Sequence, residues 1–316
     1  MFVSFLNRAR PPFPAVLLLS AGLLSISACA ARKPLQEDVF RGGNPQGIVL
    51  QENTKPRTGP QDTAQPVFAM YNRELRIPLW ETPPAGMEPE EIPALTINMD
   101  LFDPAFPQNG AAGDQNVLGR QFRNIFYRGL SPQDYSQEQA RIQAIEYQGM
   151  GEEIRNNPRM IFSATLNWTY TEQFKTEFSS ALLAVVSRER TSYTGGAHGS
   201  YDKSYFVFDR ELGIQIGLQD FMRKDSGPLL TALVNRELRA AQNLGAADSL
   251  KQAGFFVDDA ELTENYFLSP QGLGFHWDPY EITPYVMGYV EVFIPYAGIT
   301  DLLGPEGQRL IREFPL

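Results

Sequence analysis

The sequence predicts an α+β fold: antiparallel β-sheets with helices packed on one face, arranged as two subdomains. Three observations carry this. Strict period-two alternation recurs along the chain and leaves one polar face, as in an antiparallel sheet with one side on a core. Helix-period stripes are confined to residues 117–149 and 226–245, not placed after each strand. The chain is 43% hydrophobic and 12% aromatic, enough for a sizeable core.

Asn72–Trp80 reads as a first strand or hairpin arm, and Pro83–Pro93 as a proline-rich break. Leu95, Ile97, Met99 and Leu101 alternate as a strand. A first helix carries Leu118, Phe122, Ile125 and Phe126, with Asn116 as its cap and Gly129 as its stop. A second starts at Ser131-Pro132, or at the capping box Ser136–Gln139, and ends near Gly149. Met160–Tyr170 alternates cleanly, with Phe162, Leu166, Trp168 and Tyr170 on one face. Phe178–Arg190, containing Leu182–Val186, reads as its buried neighbour. Ser204–Phe208 and Ile214–Leu218 form a hairpin around Asp209–Gly213. Ser226 caps a third helix with Pro228 in its first turn and Gly245 at its end; Asp258–Thr263 adds a helical turn. Leu273–Trp277 and Tyr289–Ile294 are late strands.

The N-terminus has the form of an export signal. Arg8 and Arg10 precede an apolar run, Phe13–Ile26, that closes on Ser27-Ala28-Cys29. The run is too short and interrupted to span a bilayer, which takes about 18 or more apolar residues. Cys29 is the one cysteine of the chain, and its place after small residues resembles the lipobox of bacterial lipoproteins. That resemblance implies removal of residues 1–28 and lipidation of Cys29, hence a partner in the membrane and an address in the cell envelope. Ala30-Ala31 resembles the pattern sorted to the outer membrane, facing the periplasm, in a Gram-negative cell. Residues 29–66, rich in Pro, Gly, Gln and charge, read as a flexible tether. The folded part divides into an N-terminal subdomain, 67–150, and a C-terminal one, 151–316.

The net charge is −10, and becomes −12 without residues 1–28, which hold two arginines and no acid. This argues against nucleic acid as a partner. An acidic surface suits a cationic protein, and also simply keeps a protein soluble.

Two segments stand out in the folded part. Tyr193-Thr194-Gly195-Gly196-Ala197-His198-Gly199 places three glycines within five residues between two strands. No Lys-Ser or Lys-Thr follows it, so it is not a phosphate-cradling loop. Phe275-His276-Trp277-Asp278-Pro279-Tyr280-Glu281-Ile282-Thr283-Pro284-Tyr285 puts His276 and Asp278 on one side of a strand that Pro279 stops. The chain's two histidines lie in these segments, without the spacing of a local metal motif. No G-x-S-x-G elbow accompanies them. No cofactor or metal is expected. Tyr193, Gly195, Gly196, His198, His276, Asp278, Tyr280 and Tyr285 form the candidate binding set.

These motifs resemble an envelope domain shared by RsiV-type lysozyme-sensing anti-sigma factors and PdaC-type peptidoglycan deacetylases, in its non-catalytic part. The shared order is Tyr-x-Gly-Gly-Ala-His, then Phe208-Asp209 with Gly213, then Leu218-Gln219-Asp220-Phe221, a helix, and Pro279–Tyr285. It covers roughly Met160 to Pro295. The resemblance implies a module that binds without reacting, and does not by itself carry over lysozyme binding. The expected function is a non-enzymatic lipoprotein that binds a cell-wall glycan or a protein such as lysozyme. The alternatives are a peptidoglycan hydrolase or deacetylase using His198 or His276, and a structural partner in an envelope assembly.

Overall fold

The computed structural model describes residues 48–49, 68–83, 86–107, 117–156 and 166–314. The export signal, Cys29 and the tether lie outside the described residues except for Ile48–Val49, as do Asn116 and the first part of the 160–170 alternation.

The described strands are β1 (Ile48–Val49), β2 (Phe68–Pro78), β3 (Ala94–Pro107), β4 (Trp168–Ser179), β5 (Leu183–Tyr193), β6 (Ser200–Asp209), β7 (Ile214–Ile216), β8 (Tyr266–Leu268), β9 (Gly272–Trp277) and β10 (Val290–Pro295). The described helices are α1 (Val117–Tyr127), α2 (Pro132–Asn156), α3 (Leu218–Phe221), α4 (Gly227–Ala241) and α5 (Pro305–Leu310). The fold is α+β with two sheets. The larger has the order β2-β3-β4-β5-β6-β7, and the smaller β1-β10-β9-β8. The larger is antiparallel except where β3 runs parallel to β4. The long connection through α1 and α2 permits that pair, since parallel neighbours need a crossover.

β5 shows how the layers form. Leu183 and Val185 point into one core, and Ala184 and Val186 into the other. Burial on both faces explains the unbroken apolar run Leu182–Val186. On one face α1 and α2 lay Phe122, Phe126, Tyr135 and Tyr147 over β2–β6. On the other, the smaller sheet and α4 pack Phe275, Trp277, Val292, Leu230 and Val234 against β5–β7. The two cores, each with its own helices, share the large sheet between them.

Several boundaries differ from expectation. The segment 178–190 is not one strand: a turn at Ser180 separates β4 from β5, closed by Ser180 N–H to the Leu183 carbonyl at 2.8 Å. α2 starts at Pro132, because Ser131 Oγ accepts from Asp134 N–H at 3.0 Å. Ser136 lies inside the helix, donating to the Gln133 carbonyl, and the helix runs past Gly149 to Asn156. Ser226 does not cap α4 with its side chain; the hydroxyl donates to the Arg223 carbonyl instead. α4 stops at Ala241, with Asn243 in the left-handed conformation (φ 55°), before Gly245 is reached. Residues 258–263 form no helical turn. The buried Asn235 of α4 fastens them, accepting from Ala260 N–H at 2.7 Å and donating to its carbonyl at 2.8 Å.

Candidate functional site

The two motif segments meet where the small sheet packs on β6, and they form two layers. The inner layer is polar and buried. In the β9–β10 register Glu291 stands opposite His276. The imidazole is 0% exposed. Its Nδ1 lies 2.8 Å from Glu291 Oε1 and its Nε2 3.0 Å from Asp278 Oδ1. A carboxylate on each ring nitrogen calls for a proton on each, so the ring is an imidazolium. Burial works against that charge, but the hydrogen bonds the ring donates to Asp278 and Glu291 outweigh it and raise the His276 pKa above 6.5. Burial also opposes the charge on Glu291, yet the bond to His276 holds its pKa below 4.5.

β6 supplies the other half of this layer. Tyr205 donates its hydroxyl to Glu291 Oε1 at 3.0 Å. Lys203 N–H donates to Asp278 Oδ1 at 2.9 Å. The Lys203 ammonium reaches Glu189 at 3.0 Å and Glu177 at 3.3 Å, and lies 4.8 Å from the centre of the Tyr205 ring. Tyr289 stacks on His276 at 5.2 Å and 25°. The acids of the small sheet are thus bound to the large sheet through β6.

The outer layer is aromatic and exposed. His198 stacks face to face on Tyr285, with ring centres 4.0 Å apart and 18° between planes. Tyr280 continues the column at 5.8 Å and 30°. Tyr280 is 59% exposed, and Val286, next to Tyr285 in the chain, is 88% exposed. Tyr280 has φ 72°, a conformation that bulky residues rarely adopt. The glycine loop brings His198 to this column. Gly195 and Gly196 have φ of 90° and 98°, which suits glycine, and Tyr193 donates its hydroxyl to the Gly196 carbonyl at 3.1 Å. His198 Nδ1 bonds the Gly199 carbonyl at 2.8 Å.

The predicted set therefore separates by role. The exposed His198 and Tyr280 and the half-buried Tyr285 form the column. Tyr193, Gly195 and Gly196 shape the loop beneath it. His276 and Asp278 are interior. The two histidines do not share one centre. Sequence reasoning missed Glu291, Tyr205, Lys203 and Tyr289. Glu291 was visible as the polar position between Val290 and Val292, but pairing it with His276 requires the register. Among the described residues, no group of three His, Cys, Asp or Glu side chains is arranged to hold a metal ion, and no helix is long and apolar enough to cross a membrane. Another buried acid, Glu172, lies on the opposite sheet face and accepts from the hydroxyls of Tyr135 and Tyr170.

The stretch that supplies most of both layers can be compared with known families. Residues 219–297 match DUF3298, a family described as protein of unknown function. The matched segment holds His276, Asp278, Tyr280, Tyr285, Tyr289 and Glu291, while the glycine loop and the β6 residues precede it. A crystal structure of a DUF3298 member from Bacteroides fragilis NCTC 9343 is similar over 78% of this chain and 98% of its own, at 24% identity and a TM-score of 0.61. A DUF3298 protein from Pseudomonas aeruginosa PAO1 aligns over 79% of this chain and 99% of its own, at 19% identity and a TM-score of 0.46. The first of these relations speaks for the fold. No curated protein matches the chain significantly.

Proposed function

We propose that this protein is a non-enzymatic binding module of the bacterial cell envelope, anchored by a lipid on Cys29, whose exposed aromatic column takes a cationic protein ligand of the lysozyme type. The observation that carries the reading is the column itself. His198 stacks on Tyr285 and Tyr280 lies obliquely against the same ring, so the cluster presents the exposed surfaces of His198 and Tyr280 and the adjoining Val286. That is an apolar and aromatic hot spot for a protein surface more than a platform for successive sugars. The net charge of −12 without residues 1–28 and the exposed Glu281 in the same turn favour a positively charged partner. The resemblance to lysozyme-sensing domains points the same way.

The inner layer suits support better than catalysis. An imidazolium whose two N–H groups both face carboxylates has no lone pair to offer as a base. A cell-wall glycan is the second reading, favoured by the exposure of the Tyr280 ring, on which one sugar ring can stack.

The test is binding of the detergent-purified full chain to egg-white lysozyme and, separately, to purified peptidoglycan sacculi. Saturable lysozyme binding that Tyr285→Ala weakens about tenfold or more is the expected result, typical of truncating a hot-spot aromatic. Retention by sacculi alone would favour the glycan, and retention by neither would remove both readings.

A further inference from the structure

We infer that His276 is a positioning residue for the exposed column: as an imidazolium it fixes Asp278, and Asp278 fixes the turn that carries Tyr280 and Tyr285. The inference rests on reading the column as the ligand site and adds a control over that site.

Asp278 is the joint between strand and turn. β9 ends at Trp277 and Pro279 follows. Asp278 N–H donates to Glu281 Oε2 at 2.8 Å, its carbonyl accepts from Glu281 N–H at 3.1 Å, and Tyr280 N–H donates to the Thr283 carbonyl at 2.9 Å. Its Oδ1 is held from two sides, by His276 Nε2 and by Lys203 N–H of β6. Rotation of that carboxylate frees Lys203 N–H and so unties the turn from β6, while the turn's own bonds through the Asp278 main chain stay in place. His198 reaches the same turn from the loop before β6, by stacking on Tyr285.

His276 decides whether the carboxylate stays. If one ring proton leaves, a lone pair faces Asp278 or Glu291 across a contact of 3.0 or 2.8 Å. In a buried site an attraction then becomes a repulsion. The groups around the ring offer no replacement donor in its plane. Tyr289 covers one ring face. Tyr205 meets the ring at 68° and already donates to Glu291. Lys203 is engaged with Glu177 and Glu189. The least constrained response is for the Asp278 carboxylate to turn outward, since its side chain keeps 20% exposure, which unties the turn bearing Tyr280 and Tyr285 from β6 and from the His198 loop that precedes β6. The column is therefore ordered while His276 is charged and loosened when it is neutral.

The experiment is a ring-resonance NMR titration of the full chain from pH 5.5 to 9, with Tyr280, Tyr285 and both histidines assigned through single variants. The expected result is that His276 titrates above 6.5 and that the Tyr280 and Tyr285 rings shift at its transition. Asp278→Asn should lower the His276 transition by about one pH unit, the scale of losing one nearby opposite charge. A His276 transition at or below 6.5, or tyrosine rings unmoved at its transition, overturns the inference. The wild-type titration decides this even if a His276 variant fails to fold. Lysozyme binding over the same range separates the two ideas. Tyrosine shifts without binding at any pH retain the positioning role and remove the ligand reading. Binding without the shifts does the reverse.

Discussion

Asn265 meets the backbone of Tyr205 as a neighbouring strand would. Its Oδ1 accepts from Tyr205 N–H at 2.8 Å, and its Nδ2 donates to the Lys203 carbonyl at 2.7 Å. β7 pairs with β6 only at Val207–Asp209, so among the described strands none pairs with this edge over the first part of β6. Asn265 also gives its own carbonyl to His276 N–H at 2.9 Å. One residue thus completes a ladder with its side chain and ties it to the small sheet with its main chain. Asn265→Ala leaves a donor and an acceptor unmet in a half-buried seam and should cost about 2–4 kcal/mol, from two lost bonds plus the desolvation of their partners. A lower urea midpoint at unchanged slope is the expected readout.

Gly274 lets Phe267 cross the small sheet. The two residues are paired in register, and a Cβ on Gly274 would sit 2.1 Å from the Phe267 ring. Phe267 in turn packs against Tyr205, with ring centres 4.6 Å apart and the planes tilted by 34°. Gly274→Ala should destabilise by about 1–3 kcal/mol, the usual effect of overpacking, and should disturb the Tyr205 environment in near-ultraviolet circular dichroism. Unchanged stability would mean that Phe267 has another place to go.

Tyr280 separates stability from binding. Its left-handed backbone is a strain of about 1–3 kcal/mol that glycine does not feel, although glycine gives up more entropy on folding. Tyr280→Gly is expected to keep or slightly raise the thermal midpoint while weakening ligand binding about tenfold or more. A large drop in stability would assign Tyr280 a structural role instead.

The inner layer also imposes a pH dependence on stability. His276 has its pKa raised above 6.5, so its contribution is complete below pH 6.5 and is lost as pH rises through the raised value. Glu291 has its pKa lowered below 4.5, so its contribution is present above pH 4.5 and is lost as pH falls through the lowered value. Their joint contribution is therefore greatest between pH 4.5 and 6.5. Urea midpoints of wild type and His276→Gln should converge toward alkaline pH and separate most in that window. Parallel curves would show that His276 is not the titrating group.

Much of the fold is legible in the residues because alternation and helical stripes report burial directly. Val290, Val292 and Ile294 place β10, and Leu230, Val234 and Leu238 place α4. The split between β4 and β5 is not legible, because a strand buried on both faces continues the apolar run up to its turn. The parallel β3–β4 pair is set by a crossover, which has no local signature. At the site, the glycines and clustered aromatics mark the right two segments. Their division into an exposed column and a buried imidazolium depends on side-chain depth, which one strand's alternation cannot give for both histidines. The β6 partners Lys203 and Tyr205 lie in an ordinary strand, with nothing local to distinguish them.

The most direct measurement is the affinity of egg-white lysozyme for the full chain and for its Tyr280→Gly variant, at low and at raised salt. The account predicts saturable, salt-weakened binding by the wild type and at least a tenfold loss in a variant that remains as stable. Equal binding by a fully folded variant, or no lysozyme binding by the wild type, would contradict it.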